Sequence, residues 1–77
     1  MSITLHYFAS LKESLGRASD SVDYLPNLTV LDVWALANQD QPLPNLILAA
    51  VNMDYVPLTS LVEDGDTVAF FPPVTGG

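Results

Sequence analysis

Apolar and polar positions alternate at the start of the chain. Ile3, Leu5 and Tyr7 fall on one side and Thr4 and His6 on the other, with Phe8 apolar on the polar side. A period of two predicts a half-buried strand over residues 2–8. Residues 11–15 then offer one or two helical turns, and Gly16 is placed to cap them. Residues 20–25 predict a second strand pairing back on the first, closed by Pro26. The period changes at Thr29: Val30, Val33, Trp34 and Ala37 follow the i, i+3, i+4, i+7 rule of a helix with one apolar face. Thr29 can cap that helix through its hydroxyl, with Asp32 completing a capping box and Leu28 and Val33 spaced as a hydrophobic staple.

Residues 39–44 hold two prolines and break the helix. The uninterrupted apolar run 46–51 predicts a central strand, and residues 52–54 turn the chain toward Tyr55 and Val56. Glu63, Asp64, Gly65 and Asp66 form a turn, with Gly65 free to take positive φ. The last strand, residues 67–71, is stopped by Pro72 and Pro73, which have no N–H for a ladder. The order of strand, strand, helix and returning strands predicts an α+β fold, a mixed sheet packed on one main helix. Ubiquitin-like β-grasp domains have this order. Residues 1–71 are expected to form that domain and residues 72–77 a flexible, extended C-terminal tail.

Composition narrows the classes of partner. At 77 residues the chain is one domain with a small core. Its only basic residues are Lys12 and Arg17, against nine acidic ones, for a net charge of -7. Such a domain repels phosphate backbones and anionic lipid, so neither nucleic acid nor membrane is expected as a partner; the acidity either favours a protein with a basic surface or serves only to keep the domain in solution. Without cysteine, neither a disulfide nor a thiolate metal site is available. The apolar runs are far shorter than the ~18 residues of a membrane span. A soluble, cytoplasmic protein is expected.

The chemistry concentrates at the tail. After Phe70 and Phe71 the chain reads Pro72, Pro73, Val74, Thr75, Gly76, Gly77. The two prolines favour a stiff, extended exit, and six residues reach about 20 Å at ~3.3–3.6 Å each. The glycine pair has no side chains, so it can thread a narrow channel and leave its carbonyl carbon open to attack. A carboxylate is a poor electrophile until converted to a mixed anhydride, which a sulfur nucleophile can then displace to leave a thiocarboxylate. Two terminal glycines alone are a weak signal. Their setting, after a proline exit from the last strand of a β-grasp pattern, gives them weight.

The chain resembles the MoaD family, the small subunits of molybdopterin synthase. The likeness covers most of its length and rests on residues 8–16, residues 48–52 and the stretch from Asp64-Gly65-Asp66-Thr67 through Phe70-Phe71-Pro72-Pro73-Val74-Thr75-Gly76-Gly77. The resemblance implies a sulfur carrier that contributes the reacting group and has no independent active site. An E1-like adenylyltransferase would activate Gly77 with ATP, and a sulfurtransferase system would make the thiocarboxylate. The tail would enter the large synthase subunit, in a heterotetramer, and pass sulfur to cyclic pyranopterin monophosphate to build the molybdopterin dithiolene. By the same resemblance Gly76 lets the tail fit, Phe70, Phe71, Pro72, Pro73, Val74 and Thr75 line the route into the partner, and the chain binds no cofactor or metal itself. Lys12 stands where arginine is expected in this family; it keeps the charge but lacks the planar fork. Residues 39–45 match nothing in the family pattern.

Other candidates are weaker. His6 stands alone on its strand and reads as a surface or pairing residue. Glu63, Asp64 and Asp66 lack the spacing of an EF-hand loop and read as a turn. Phe70 and Phe71 point to opposite faces, so one fills the core and the other is open to a partner. Trp34 reads as core. Three alternatives share the fold: a thiamine-pathway sulfur carrier, a ubiquitin-like protein modifier, and a plain binding module with an inert tail.

Overall fold

The computed structural model describes residues 1–73. Its elements are β1 (Ser2–Tyr7), α1 (Ala9–Leu15), β2 (Ser19–Asp23), α2 (Val30–Ala37), β3 (Leu48–Val51), β4 (Asp54–Val56) and β5 (Thr67–Phe71). The five strands form one sheet in the order β2-β1-β5-β3-β4. β1 and β5 run parallel, and the remaining neighbours are antiparallel. The alternation in β1 is realised: Ile3, Leu5 and Tyr7 are buried beneath α2 with Val68 and Phe70 of β5. This is the mixed sheet on one main helix that the element order predicts.

Helix α2 starts where its cap requires. Thr29 Oγ1 accepts the Asp32 N–H and the Asp32 carboxylate accepts the Thr29 N–H, so the capping box is complete. The Val30 and Leu31 N–H groups donate to the carbonyls of Ser60 and Leu58 in the loop that crosses this end. The first-turn donors that a helix leaves free are therefore all used. Val30, Val33 and Trp34 are buried, and Leu28 joins Val33 in the same core cluster. At the other end α1 stops at Gly16, whose φ of +73° and N–H bond to the Lys12 carbonyl close the helix as expected.

Three expectations need correction. The apolar run 46–51 becomes strand only from Leu48: Leu46 sits in a turn at φ +66° and is 80% exposed. The chain must reverse there to re-enter the sheet, and the turn displaces a side chain that hydropathy alone would bury. The middle of the sheet is also β5 and not β3, because the last strand inserts between β1 and β3. The second strand is shorter than predicted, ending at Asp23 two residues before Leu25.

Candidate functional site

β5 positions the exit of the tail. It is hydrogen-bonded on both sides, to β1 and to β3, which fixes its register over the whole strand. Val68 and Phe70 point into the core, while Thr67, Ala69 and Phe71 point to the opposite, outer face. The Phe8 N–H donates to the Phe70 carbonyl at 3.2 Å near the end of the strand. Pro72 and Pro73 then follow without an N–H to extend the ladder. Pro72 is half-buried in a cleft with Ser10, Leu11 and Ser14 of α1, and Pro73 is exposed.

Phe70 anchors this exit from inside. Its ring meets Trp34 edge-on at 5.2 Å and lies against Tyr7 at 6.3 Å, and Tyr7 meets Trp34 edge-on at 5.8 Å. Offset and edge-to-face pairs of this kind add to the area they bury. Phe70 has no exposed surface. The family resemblance assigned Phe70 to line a route into a partner; its inward position on the middle strand, covered by α2, takes its ring off the surface instead. Trp34, only 2% exposed, is core as expected.

Phe71 is the aromatic residue that faces outward. It pairs across the ladder with Leu48, and its ring lies 5.4 Å from that of Tyr55 on β4. Tyr55 is 74% exposed and Leu48 39%. Ala50 and Ala69 are paired one step further along the same face, and Ala50 is paired with Tyr55. The outer face around the exit is thus apolar, with an aromatic pair at its centre. Sequence reasoning missed Tyr55 and Leu48, although the two-residue turn and short alternating strand 54–56 carried the signal for Tyr55. Val74, Thr75, Gly76 and Gly77 lie outside the described residues.

No group of three or more His, Cys, Asp or Glu side chains among the described residues is arranged to hold a metal ion. His6 lies on the exposed side of β1, 6.3 Å from the Phe8 ring. Asp66 serves its own turn, accepting the Glu63 N–H at 2.8 Å and an Asn52 side-chain N–H at 2.9 Å. The perturbed groups are structural. Burial pushes the Tyr7 phenol up, and the backbone N–H of Thr29, with its hydroxyl, holds Asp32 below the usual carboxylate value. No helix of the described residues is long and apolar enough to cross a membrane. What the geometry offers is a firmly held end of the middle strand beside an apolar face.

Residues 5–77 match the ThiS family. The chain is 40% identical over 84 residues to the molybdopterin synthase sulfur carrier subunit of Escherichia coli, covering 97% of this chain and 99% of that one. Among solved structures it is similar to SAMP1 from Haloferax volcanii, with a TM-score of 0.82 and 28% identity over the full length of both chains. It also shares its fold with the Helicobacter pylori protein–protein complex of subunits 1 and 2 of molybdopterin-converting factor, at a TM-score of 0.69 and 21% identity over the full length of both chains.

Proposed function

The chain belongs to the ThiS family, and from that premise we propose how it works as a sulfur carrier of molybdenum cofactor biosynthesis: its reacting group is the carboxylate of Gly77. ATP, used by an E1-like adenylyltransferase, converts that carboxylate to an acyl adenylate with release of pyrophosphate. A sulfur nucleophile supplied by a sulfurtransferase system attacks the carbonyl carbon, the C–O bond to AMP breaks, and a thiocarboxylate remains. The tail then enters the large subunit of molybdopterin synthase, where the thiocarboxylate sulfur bonds to a carbon of cyclic pyranopterin monophosphate, displacing oxygen, and water cleaves the acyl C–S bond so that Gly77 leaves as its free carboxylate. Two such deliveries make the dithiolene, in an assembly of two small and two large subunits.

The observation that carries this reading is the pairing of a nearly full-length sulfur-carrier relative with the geometry of the exit. The middle strand is braced by Phe70 and ends in Pro72-Pro73 beside the apolar face of Phe71, Leu48 and Tyr55. A rigid exit lowers the entropy lost when a tail enters a channel, because fewer backbone states must be frozen. The apolar face gives a protein partner something to grip while the tail reacts. Phe71, Pro72, Pro73, Val74 and Thr75 form the approach, and Gly76 and Gly77 the reactive end.

A second reading, as a protein modifier, is favoured by the likeness to SAMP1. Intact-mass measurement of the protein from its native cell separates the two. A carrier shows terminal oxygen replaced by sulfur; a modifier shows isopeptide adducts on other proteins. A chain found only as the free carboxylate in cells actively making the cofactor would count against both.

A further inference from the structure

The β3–β4 connection is a two-residue hairpin loop, Asn52 and Met53, closed by the Val51–Asp54 pair. Both residues have positive φ, +50° and +73°. Successive positive φ values match the twist of a hairpin, and Asn-Gly is the pair that adopts them most readily. Asn52 meets that demand and Met53 does not, since at φ near +70° its Cβ crowds the following carbonyl oxygen and it has no short polar group to compensate by a local hydrogen bond. Met53 is also 94% exposed, the most exposed large apolar side chain among the described residues. Strain and exposure both disfavour methionine here, and nothing inside the domain gains from it.

The turn is nevertheless held firmly. The Asn52 N–H donates to the Thr67 carbonyl at 2.8 Å, and the Thr67 N–H returns a bond to Asn52 Oδ1 at 3.0 Å. Asn52 Nδ2 donates to Asp66 at 2.9 Å. Met53 borders an open cavity of about 440 Å³ whose wall includes Phe8, His6 and Ala69 on the outer face. Asp54, Glu63, Asp64 and Asp66 lie on this turn and the neighbouring one, and neither turn contains a basic residue. Asn52 is bonded to Thr67 at the start of β5 and the chain leaves from the other end of that strand, which is about 13 Å long at ~3.3 Å per residue, so the turn carrying Met53 adjoins the end of β5 away from the exit.

We propose that Met53 is a second anchor for the large synthase subunit, entering an apolar slot in that partner while the surrounding acidic turns meet basic side chains at the slot's rim. This rests on the reading that the large subunit receives the tail. The tail brings the reactive end into the channel, and an anchor at the far end of β5 fixes the domain's orientation about it. The charge complement follows from the four carboxylates around the turn, and the slot from the size and apolarity of methionine, a side chain that adapts to irregular gaps.

The test is calorimetric titration of the purified large subunit with Met53→Gly and Met53→Leu variants at low and high salt, alongside thermal unfolding. Met53→Gly relieves the positive φ, partly offset by a freer unfolded chain, so its Tm stays equal or rises by a few degrees, about 2–5 °C. Its affinity for the large subunit falls about 10-fold or more, as expected for losing one buried apolar side chain. Met53→Leu keeps affinity within about threefold. A variant Glu63→Gln/Asp64→Asn flattens the salt dependence of binding. Wild-type affinity in Met53→Gly, or equal losses in the glycine and leucine variants, overturns the anchor. Deletion of Gly77 is read separately by sulfur transfer: a truncated chain that still delivers sulfur overturns the carrier reading, whatever Met53 does.

Discussion

Asn38 donates a hydrogen bond from its side-chain amide to the Tyr7 hydroxyl at 3.1 Å, joining residues 31 positions apart. Asn38 is the residue that ends α2, and Tyr7 is the last residue of β1. The Tyr7 hydroxyl in turn donates a hydrogen bond to Asp20 at 2.9 Å, and Arg17 bridges Asp20 and the Asn38 side-chain oxygen. The Arg17 guanidinium also lies over the Tyr7 ring at 5.4 Å. A buried amide, a phenol and an ion pair thus tie the β1–α1–β2 segment to the end of the main helix. They do so directly behind the Phe70 ring that braces the tail exit.

Tyr7→Phe therefore removes one hydroxyl from a satisfied network without opening a cavity. Asn38 and Asp20 each lose a partner, at a cost of about 1–2 kcal/mol. For a domain of this size that lowers Tm by about 5–15 °C, measured by thermal unfolding followed by circular dichroism. Sulfur transfer well below the new midpoint should be unchanged, because the hydroxyl faces away from the exit. A Tm within a degree of wild type would show the network to be idle.

The capping box makes stability depend on pH through Asp32. Its carboxyl is held low chiefly by the Thr29 N–H, with help from the Thr29 hydroxyl. A depressed native value means the folded state favours the carboxylate. This contribution is complete above the unfolded carboxyl's value near ~3.9 and is lost as pH falls through the lower native one. Asp32→Asn retains an oxygen for the Thr29 N–H but carries no titrating charge. Its acid unfolding curve should lack the component seen in wild type below pH ~4, while the two curves converge at the lowest pH. Identical acid limbs for both proteins would remove Asp32 from the account.

Much of this could be read from the chain before folding was considered. The alternation of Ile3, Leu5 and Tyr7 and the helical spacing of Val30, Val33 and Trp34 located the core, because burial on one face imposes a period directly on sequence. Thr29 and Asp32 located the helix start, because their bonds are local. The Asn38–Tyr7–Asp20 network, with Arg17 bridging it, left no such trace, since its long-range bonds form only after β1 and β2 have paired and the end of α2 has docked on them. Leu46 misled for the complementary reason: hydropathy marks it as strand, and a turn imposed by the path of the chain puts it outside. Pro72, Pro73, Gly76 and Gly77, on which the proposed tail chemistry rests, stand out in the sequence itself, whereas the aromatic pair of Phe71 and Tyr55 needed the sheet order.

That pair is the place to test the partner face without touching the tail. Tyr55 is 74% exposed, so Tyr55→Ser changes folding stability by no more than about 0.5 kcal/mol. If the large subunit covers the outer face, the same substitution lowers its affinity about 10-fold or more, as an exposed aromatic anchor should. Phe71→Ser on the adjacent strand acts in the same direction, and the double variant loses less than the sum because the two rings contact each other. Titration of each variant with the large subunit measures this. Strictly additive losses would mean the rings bind independently, and no loss would place the interface elsewhere.

At Gly76 the requirement is steric. If the tail must thread a channel to bring the Gly77 carbonyl to its reaction partners, the residue before it must have no Cβ at the narrowest point. Gly76→Val leaves the core and every β5 pairing untouched, since the strand ends at Phe71. Its Tm should equal wild type, and its affinity for the large subunit should fall far less than its reactivity, because Phe71, Leu48 and Tyr55 still present their face. Misplacing a reacting carbon by about 1 Å can cost about 100-fold in rate. Single-turnover sulfur transfer from chemically prepared thiocarboxylate should slow by that order, bypassing the adenylation step so that only entry into the synthase is read. A Gly76→Val carrier that delivers sulfur at the wild-type rate would show that the channel tolerates a side chain, and the bare backbone of the terminal pair would then serve activation alone.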